Sequence, residues 1–132
     1  RDADIWMTET SAPARMPGQP ETSDEAQAAE VIKRHLTAFA IGVKRVLWTG
    51  VVDLDAFGGE RQGYYSYVGL ATNPAGGGRF EKRASYFAYR ALSDIVAQAD
   101  MRSLRPIEAG ESVTGYTLNA GSGPVYILWR TD

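Results

Sequence analysis

Asp4-Ile5-Trp6-Met7-Thr8-Glu9 is the stretch that decides how this chain is read. Ile5, Trp6 and Met7 are apolar at successive positions, where a half-buried strand would alternate with polar residues. The run therefore predicts a strand buried on both faces, as in a parallel sheet covered by helices. It closes on a carboxylate and breaks at once into a loop carrying Pro13, Pro17, Gly18 and Pro20. Ligands of such folds bind at the carboxyl ends of the strands. Glu9 thus stands where an active-site acid or nucleophile would, against the plainer reading of a surface charge at the mouth of a loop.

Downstream, Thr22 with Glu25 three positions on suggests a capping box, and Asp24 and Glu25 place negative charge where a helix dipole favours it. Ile32, Leu36, Phe39 and Val43 draw one apolar stripe along the helix, with Gly42 as its C-cap. A second strand follows over 44–52, apolar through Val46, Leu47 and Trp48. Two strands joined by a helix of this length form a right-handed βαβ unit and must be parallel. From Asp53 to Phe80 no period is sustained, and glycine and tyrosine dominate, in Gly58-Gly59, Tyr64-Tyr65-Ser66-Tyr67 and Gly76-Gly77-Gly78. A loop of this length inside a compact domain is usually functional or mobile. A second helical pattern starts near Glu81, with Ala84, Ala88, Ala91, Leu92, Ile95 and Ala99 on one face. Residues 112–118 and 124–129 then read as a β-hairpin around Asn119-Ala120-Gly121-Ser122-Gly123, with a partner strand near Ile107.

Length and composition fit an ordinary single domain: 132 residues, 44% hydrophobic and 23% charged. Net charge is −2 and the basic residues are scattered, which argues against a nucleic-acid surface. No apolar run reaches the roughly 18 residues of a membrane span. The absence of cysteine removes disulfides, thiol nucleophiles and cysteine zinc sites without fixing the compartment. A start at Arg1, almost directly in a strand, suits a processed protein or an excised fragment.

Two parallel strands leave unpaired edges and an uncovered face, so further strands are expected upstream. The economical completion is an α/β fold in which residues 1–102 are the last two βα units of a TIM (β/α)8 barrel, with residues 103–132 a small antiparallel β appendage. An open doubly wound sheet is the alternative, disfavoured because neither βα turn carries a Gly-x-Gly-x-x-Gly fingerprint.

The residues also carry a resemblance. Ile5-Trp6-Met7-Thr8-Glu9-Thr10, Gln27-Ala28-Ala29, Gly42-Val43 before Val46-Leu47-Trp48, Gly69-Leu70, and the run from Lys82 to Leu92 succeed one another as at the end of a clan A glycoside hydrolase barrel. The similarity is nearest to the bacterial family-39-like group of β-xylosidase and iduronidase relatives. Val125-Tyr126-Ile127-Leu128-Trp129 resembles the small β domain that follows such barrels. The resemblance implies that Glu9, at the end of strand seven, is the catalytic nucleophile of a retaining enzyme, about 5 to 5.5 Å from a second carboxyl group. It implies that Trp48, at the end of strand eight, is the floor under the sugar being cleaved. It also implies a carbohydrate substrate, no cofactor, and a slight preference for an extracellular or periplasmic setting.

One departure is plain. The clan's acid/base glutamate follows an asparagine, and no Asn-Glu dipeptide occurs here. The chain is therefore expected to hold half of a catalytic pair, its partner lying in the remainder of the barrel, N-terminal to Arg1. Asp53 could approach Glu9 across strands about 4.8 Å apart, yet two carboxylates that close more often raise a pKa or bind a cation. Asp55 and Glu60 are poorer candidates. The cluster from Tyr64 to Tyr67, with Tyr65 and Tyr67 as the candidate sugar contacts, either lines a sugar groove or anchors the long loop. His35, the only histidine, reads as a partly buried helix residue and cannot form a metal cluster alone. Gly76-Gly77-Gly78 lacks the Lys-Ser/Thr of a phosphate loop and reads as a loop tip. The competing functional class is a non-catalytic α/β module that binds a glycan or a protein through its tyrosines.

Overall fold

The computed structural model describes residues 3–54, 63–74, 78–121 and 123–131. Asp55, Gly58-Gly59 and Glu60, and Gly76-Gly77 of the triple glycine, lie outside them. The elements run β1 (Trp6–Thr10), α1 (Asp24–Ala40), β2 (Arg45–Trp48), a 3-10 turn at Tyr64–Tyr67, α2 (Ala84–Val96), β3 (Ala99–Glu108), β4 (Val113–Ala120) and β5 (Gly123–Arg130).

β1 and β2 are parallel, as a strand pair joined by a single helix must be, with Met7 beside Val46 and Thr10 beside Trp48. The expected partial TIM barrel is not formed. The described residues hold two helices and five strands in two small sheets, a mixed α/β arrangement rather than a run of alternating βα units. The packing of the antiparallel strands makes the difference. β3 pairs antiparallel with β4 and β4 with β5, and this sheet is no appendage but shares a core with both helices through Leu36, Leu92, Leu104 and Leu118. The three-stranded sheet includes the partner strand anticipated near Ile107, and the boundary drawn after residue 102 falls inside β3.

The helices lie between the two sheets. Ile32, Leu36 and Phe39, the stripe read from the sequence, pack with Leu92, Leu104 and Leu118 against the antiparallel sheet. A second stripe of α1, Gln27, Val31 and His35 at four-residue spacing, is also buried. Val31 packs there with Ala12, Trp48 and Leu70. α1 is thus covered on two sides, which one amphipathic stripe could not announce. On α2, Ser85 and Leu92 are buried while Ala84 and Ala91 are exposed, and Ala99 belongs to β3.

Caps set the helix ends. Ser23, not Thr22, caps α1, its hydroxyl accepting from the Ala26 amide. The Thr22 hydroxyl instead accepts from the Met16 amide at 2.7 Å and donates to the Gln19 carbonyl at 2.8 Å, bracing the preceding loop. Gly42, one residue beyond the C-cap Ile41, takes φ +91, a left-handed value that glycine adopts without penalty.

The expectation that β1 is buried on both faces is not met. Trp6 is 53% exposed, and Ile5, Leu47 and Val51 are exposed with it. The Arg45 guanidinium lies 4.8 Å from the centre of the Trp6 ring. Such a contact at an exposed site contributes about 0.5–1 kcal/mol and does not remove the face from water.

Candidate functional site

The site is built at the carboxyl end of β1. Glu9 is exposed and makes no hydrogen bond or ion pair among the described residues. Its neighbour Thr10 is buried beside Trp48, and the Thr10 carbonyl accepts from the Thr49 amide at 2.8 Å. The strand end is therefore fixed while the Glu9 carboxylate remains open to solvent.

The tyrosine turn is fastened to this strand end. The Tyr64 hydroxyl donates to the Ser11 carbonyl at 3.0 Å and lies 3.1 Å from the Ser11 hydroxyl, two residues beyond Glu9. The Ala14 amide donates to the Tyr67 carbonyl at 2.8 Å. Tyr65, 51% exposed, packs edge-on against Tyr64 with ring centres 5.6 Å apart. An open carboxylate and an exposed aromatic pair thus stand on two segments tied together. Stacking on an aromatic face is how proteins hold the C–H face of a pyranose at little rotamer cost.

Trp48 and Asp53 occupy other surroundings. Trp48 is buried against Ala12, Leu70 and Val31 of α1, its indole N–H donating to the Val68 carbonyl at 2.9 Å. Its ring lies over His35 at 6.3 Å with 21° between the planes. Asp53 is also buried. Both of its carboxylate oxygens receive the Arg83 guanidinium, at 2.6 and 2.7 Å, and the Gly69 amide donates to Oδ1 at 2.9 Å. A carboxylate held this way is a structural anchor. Tyr67 contributes its carbonyl to the packing of the loop after β1.

Gly69 makes the anchor possible. A Cβ there would stand 2.2 Å from the Asp53 backbone nitrogen and 2.5 Å from the Val52 carbonyl carbon. Only glycine lets the two backbones approach this closely.

Sequence reasoning passed over Gln27, Arg83 and Ser85 as site residues. Gln27 is buried, donating from Nε2 to the Ala12 carbonyl at 2.9 Å and approaching those of Tyr67 and Gly69 at 3.2 and 3.3 Å. Its Oε1 accepts from the Ser85 hydroxyl at 2.7 Å. The signal was the four-residue spacing of Gln27, Val31 and His35, which sets a polar residue in line with a second buried stripe.

His35 is 4% exposed, more deeply buried than expected. Its Nδ1 lies 2.7 Å from the Val31 carbonyl and so carries the proton, while Nε2 is buried without a partner. The rings around it are those of Trp48, Phe39 and Tyr89, and none carries an opposing charge. Burial pushes its pKa below the ordinary value of 6.5. Between the depressed folded value and the unfolded one, the unfolded chain binds more protons, so stability rises with pH through that window and levels off above about 6.5. Urea titrations from pH 7.5 downward are expected to show this loss of stability on acidification, and His35→Leu to reduce it. An unchanged slope in the variant would assign the acid sensitivity elsewhere.

Among the described residues, no group of three or more His, Cys, Asp or Glu could hold a metal ion, and no helix is long and apolar enough to cross a membrane. No family model matches the chain, and neither a curated protein nor a solved structure is significantly similar to it.

Proposed function

We propose that residues 1–132 form the nucleophile-bearing segment of a retaining glycoside hydrolase, with Glu9 as the nucleophile and the Tyr64–Tyr65 pair as part of the sugar-binding wall. The observation that carries this is the tether between the tyrosine turn and Ser11, which fastens a turn with exposed aromatic rings two residues beyond an open carboxylate at the carboxyl end of a parallel strand. The resemblance of the Ile5–Thr10 stretch to the nucleophile strand of clan A glycosidases supports it independently.

The chemistry is specific. The Glu9 carboxylate attacks the anomeric carbon as the glycosidic C–O bond breaks, giving a glycosyl ester, and an acid/base carboxyl protonates the leaving oxygen. Water activated by that same group then hydrolyses the ester and restores Glu9. Asp53 is bound by Arg83 and is not free to serve as that acid/base. The same engagement of Asp53 favours a second reading, a surface that binds carbohydrate without cleaving it.

Incubation of the complete protein with activated 2-deoxy-2-fluoroglycosides separates the two. A sugar ester on the peptide containing Glu9 is expected by mass spectrometry. A label on another carboxylate would overturn the assignment, while oligosaccharide binding with neither label nor turnover would favour the second reading.

A further inference from the structure

Gln27 sits where three segments of the site meet. The loop that follows Glu9 reaches it through the Ala12 carbonyl, the tyrosine turn through the Tyr67 carbonyl, and the segment next to Asp53 through the Gly69 carbonyl. Its amide has two N–H bonds for these three acceptors, so at least one proton is shared. The orientation of the amide is set by its neighbours. Reversed, it would turn its oxygen toward three carbonyl oxygens, whereas as placed that oxygen accepts from Ser85 on α2.

The bonds around it converge on the same joint. Arg83, the residue that precedes α2, donates to the Gly69 carbonyl at 2.8 Å while gripping Asp53. It also lies 3.8 Å from Asp24 in the first turn of α1. Asp24 in turn pairs at 3.1 Å with Arg15 in the loop after β1. Arg15 itself takes φ +46, a left-handed backbone that a non-glycine residue keeps only where its surroundings impose it. Neither Gln27 nor Ser85 is exposed, so neither can touch a sugar.

We infer that Gln27, held by Ser85, is a positioning residue: a buried amide clasp that sets the tyrosine wall against the strand end carrying Glu9. The inference rests on the carbohydrate reading of that strand end and adds to it the device that aligns its two halves. A primary amide suits the task because it donates two bonds in a plane to carbonyls from separate segments and accepts a third at its oxygen. An aliphatic side chain of equal length fills the space without fixing the angle between the segments.

The test compares Gln27→Met, Tyr65→Ala and the double variant in the complete protein, reading the rate at which a 2-deoxy-2-fluoroglycoside labels Glu9. Gln27→Met keeps the volume and removes the bonds. It is expected to slow labelling ten- to a hundredfold, the scale of a displacement of about 1 Å at a reacting centre. The double variant is expected to be no slower than the more affected single variant, because Tyr65 has already lost its alignment. A purely structural role would lower thermal stability yet leave the two effects on labelling multiplicative, and that result overturns the inference. If Gln27→Met does not fold, Ser85→Ala, which frees the amide oxygen alone, replaces it in the same cycle with the same criteria. Labelling slowed by Tyr65→Ala but untouched by Gln27→Met sinks the clasp and leaves the site reading intact. Labelling indifferent to Tyr65→Ala sinks the tyrosine wall and the clasp together.

Discussion

Glu9→Gln is expected to lower glycoside turnover by the complete protein roughly a thousandfold or more while leaving its unfolding transition in place. The amide is nearly isosteric with the carboxylate but is a poor nucleophile, so the glycosyl ester no longer forms. Stability is expected to change by no more than about 0.5 kcal/mol, because the side chain is exposed and has no partner among the described residues. A second variant sharpens the result. Glu9→Ala opens space for a small anion, and added azide is expected to restore turnover as a glycosyl azide of inverted configuration. Full activity in a folded Glu9→Gln variant would remove Glu9 from the chemistry.

Arg83→Met is expected to cost about 3–5 kcal/mol of folding stability, read as a lowered urea midpoint. The guanidinium donates two short bonds to Asp53 and one to the Gly69 carbonyl, with Arg83 and Asp53 both largely buried. Removing it strands a buried carboxylate, whose desolvation is no longer offset. The double variant Arg83→Met/Asp53→Leu is expected to recover part of the loss, since an apolar pair of similar volume leaves no charge unpaired. A single variant that costs less than about 1 kcal/mol would show the pair to be dispensable, as exposed ion pairs usually are.

How much of the site could be read from the chain depends on the range of the interactions involved. The parallel pairing of β1 and β2 was legible because connection length alone enforces it. Glu9 stood out by its place at a strand end, and the structure leaves it exposed there. The apolar stripe of Ile32, Leu36 and Phe39 was equally plain, being a local periodicity. Asp53 was visible as a carboxylate but not as an anchor, because its partner Arg83 is 30 residues away along the chain. Gln27 was hidden for the same reason, its four contacts lying between 15 and 58 residues distant. The resemblance implied a platform at Trp48, yet its burial against His35 depends on how α1 lies over β2.

By itself the sequence determined the existence of both helices, the apolar stripe of α1 through Ile32, Leu36 and Phe39, the hairpin near the end of the chain, and that β1 and β2 run parallel. Periodicity, capping and connection length act over a few residues and need no partner. Only the tertiary structure decided that the antiparallel sheet packs on the helices as part of their core instead of trailing a barrel as an appendage. It also decided that the tyrosine turn is fastened beside Glu9 through Ser11, Ala14 and Gln27. Backbone carbonyls make those ties, and every residue carries the same carbonyl. Nothing in residue identity marks which ones will meet until the chain has folded around a buried amide.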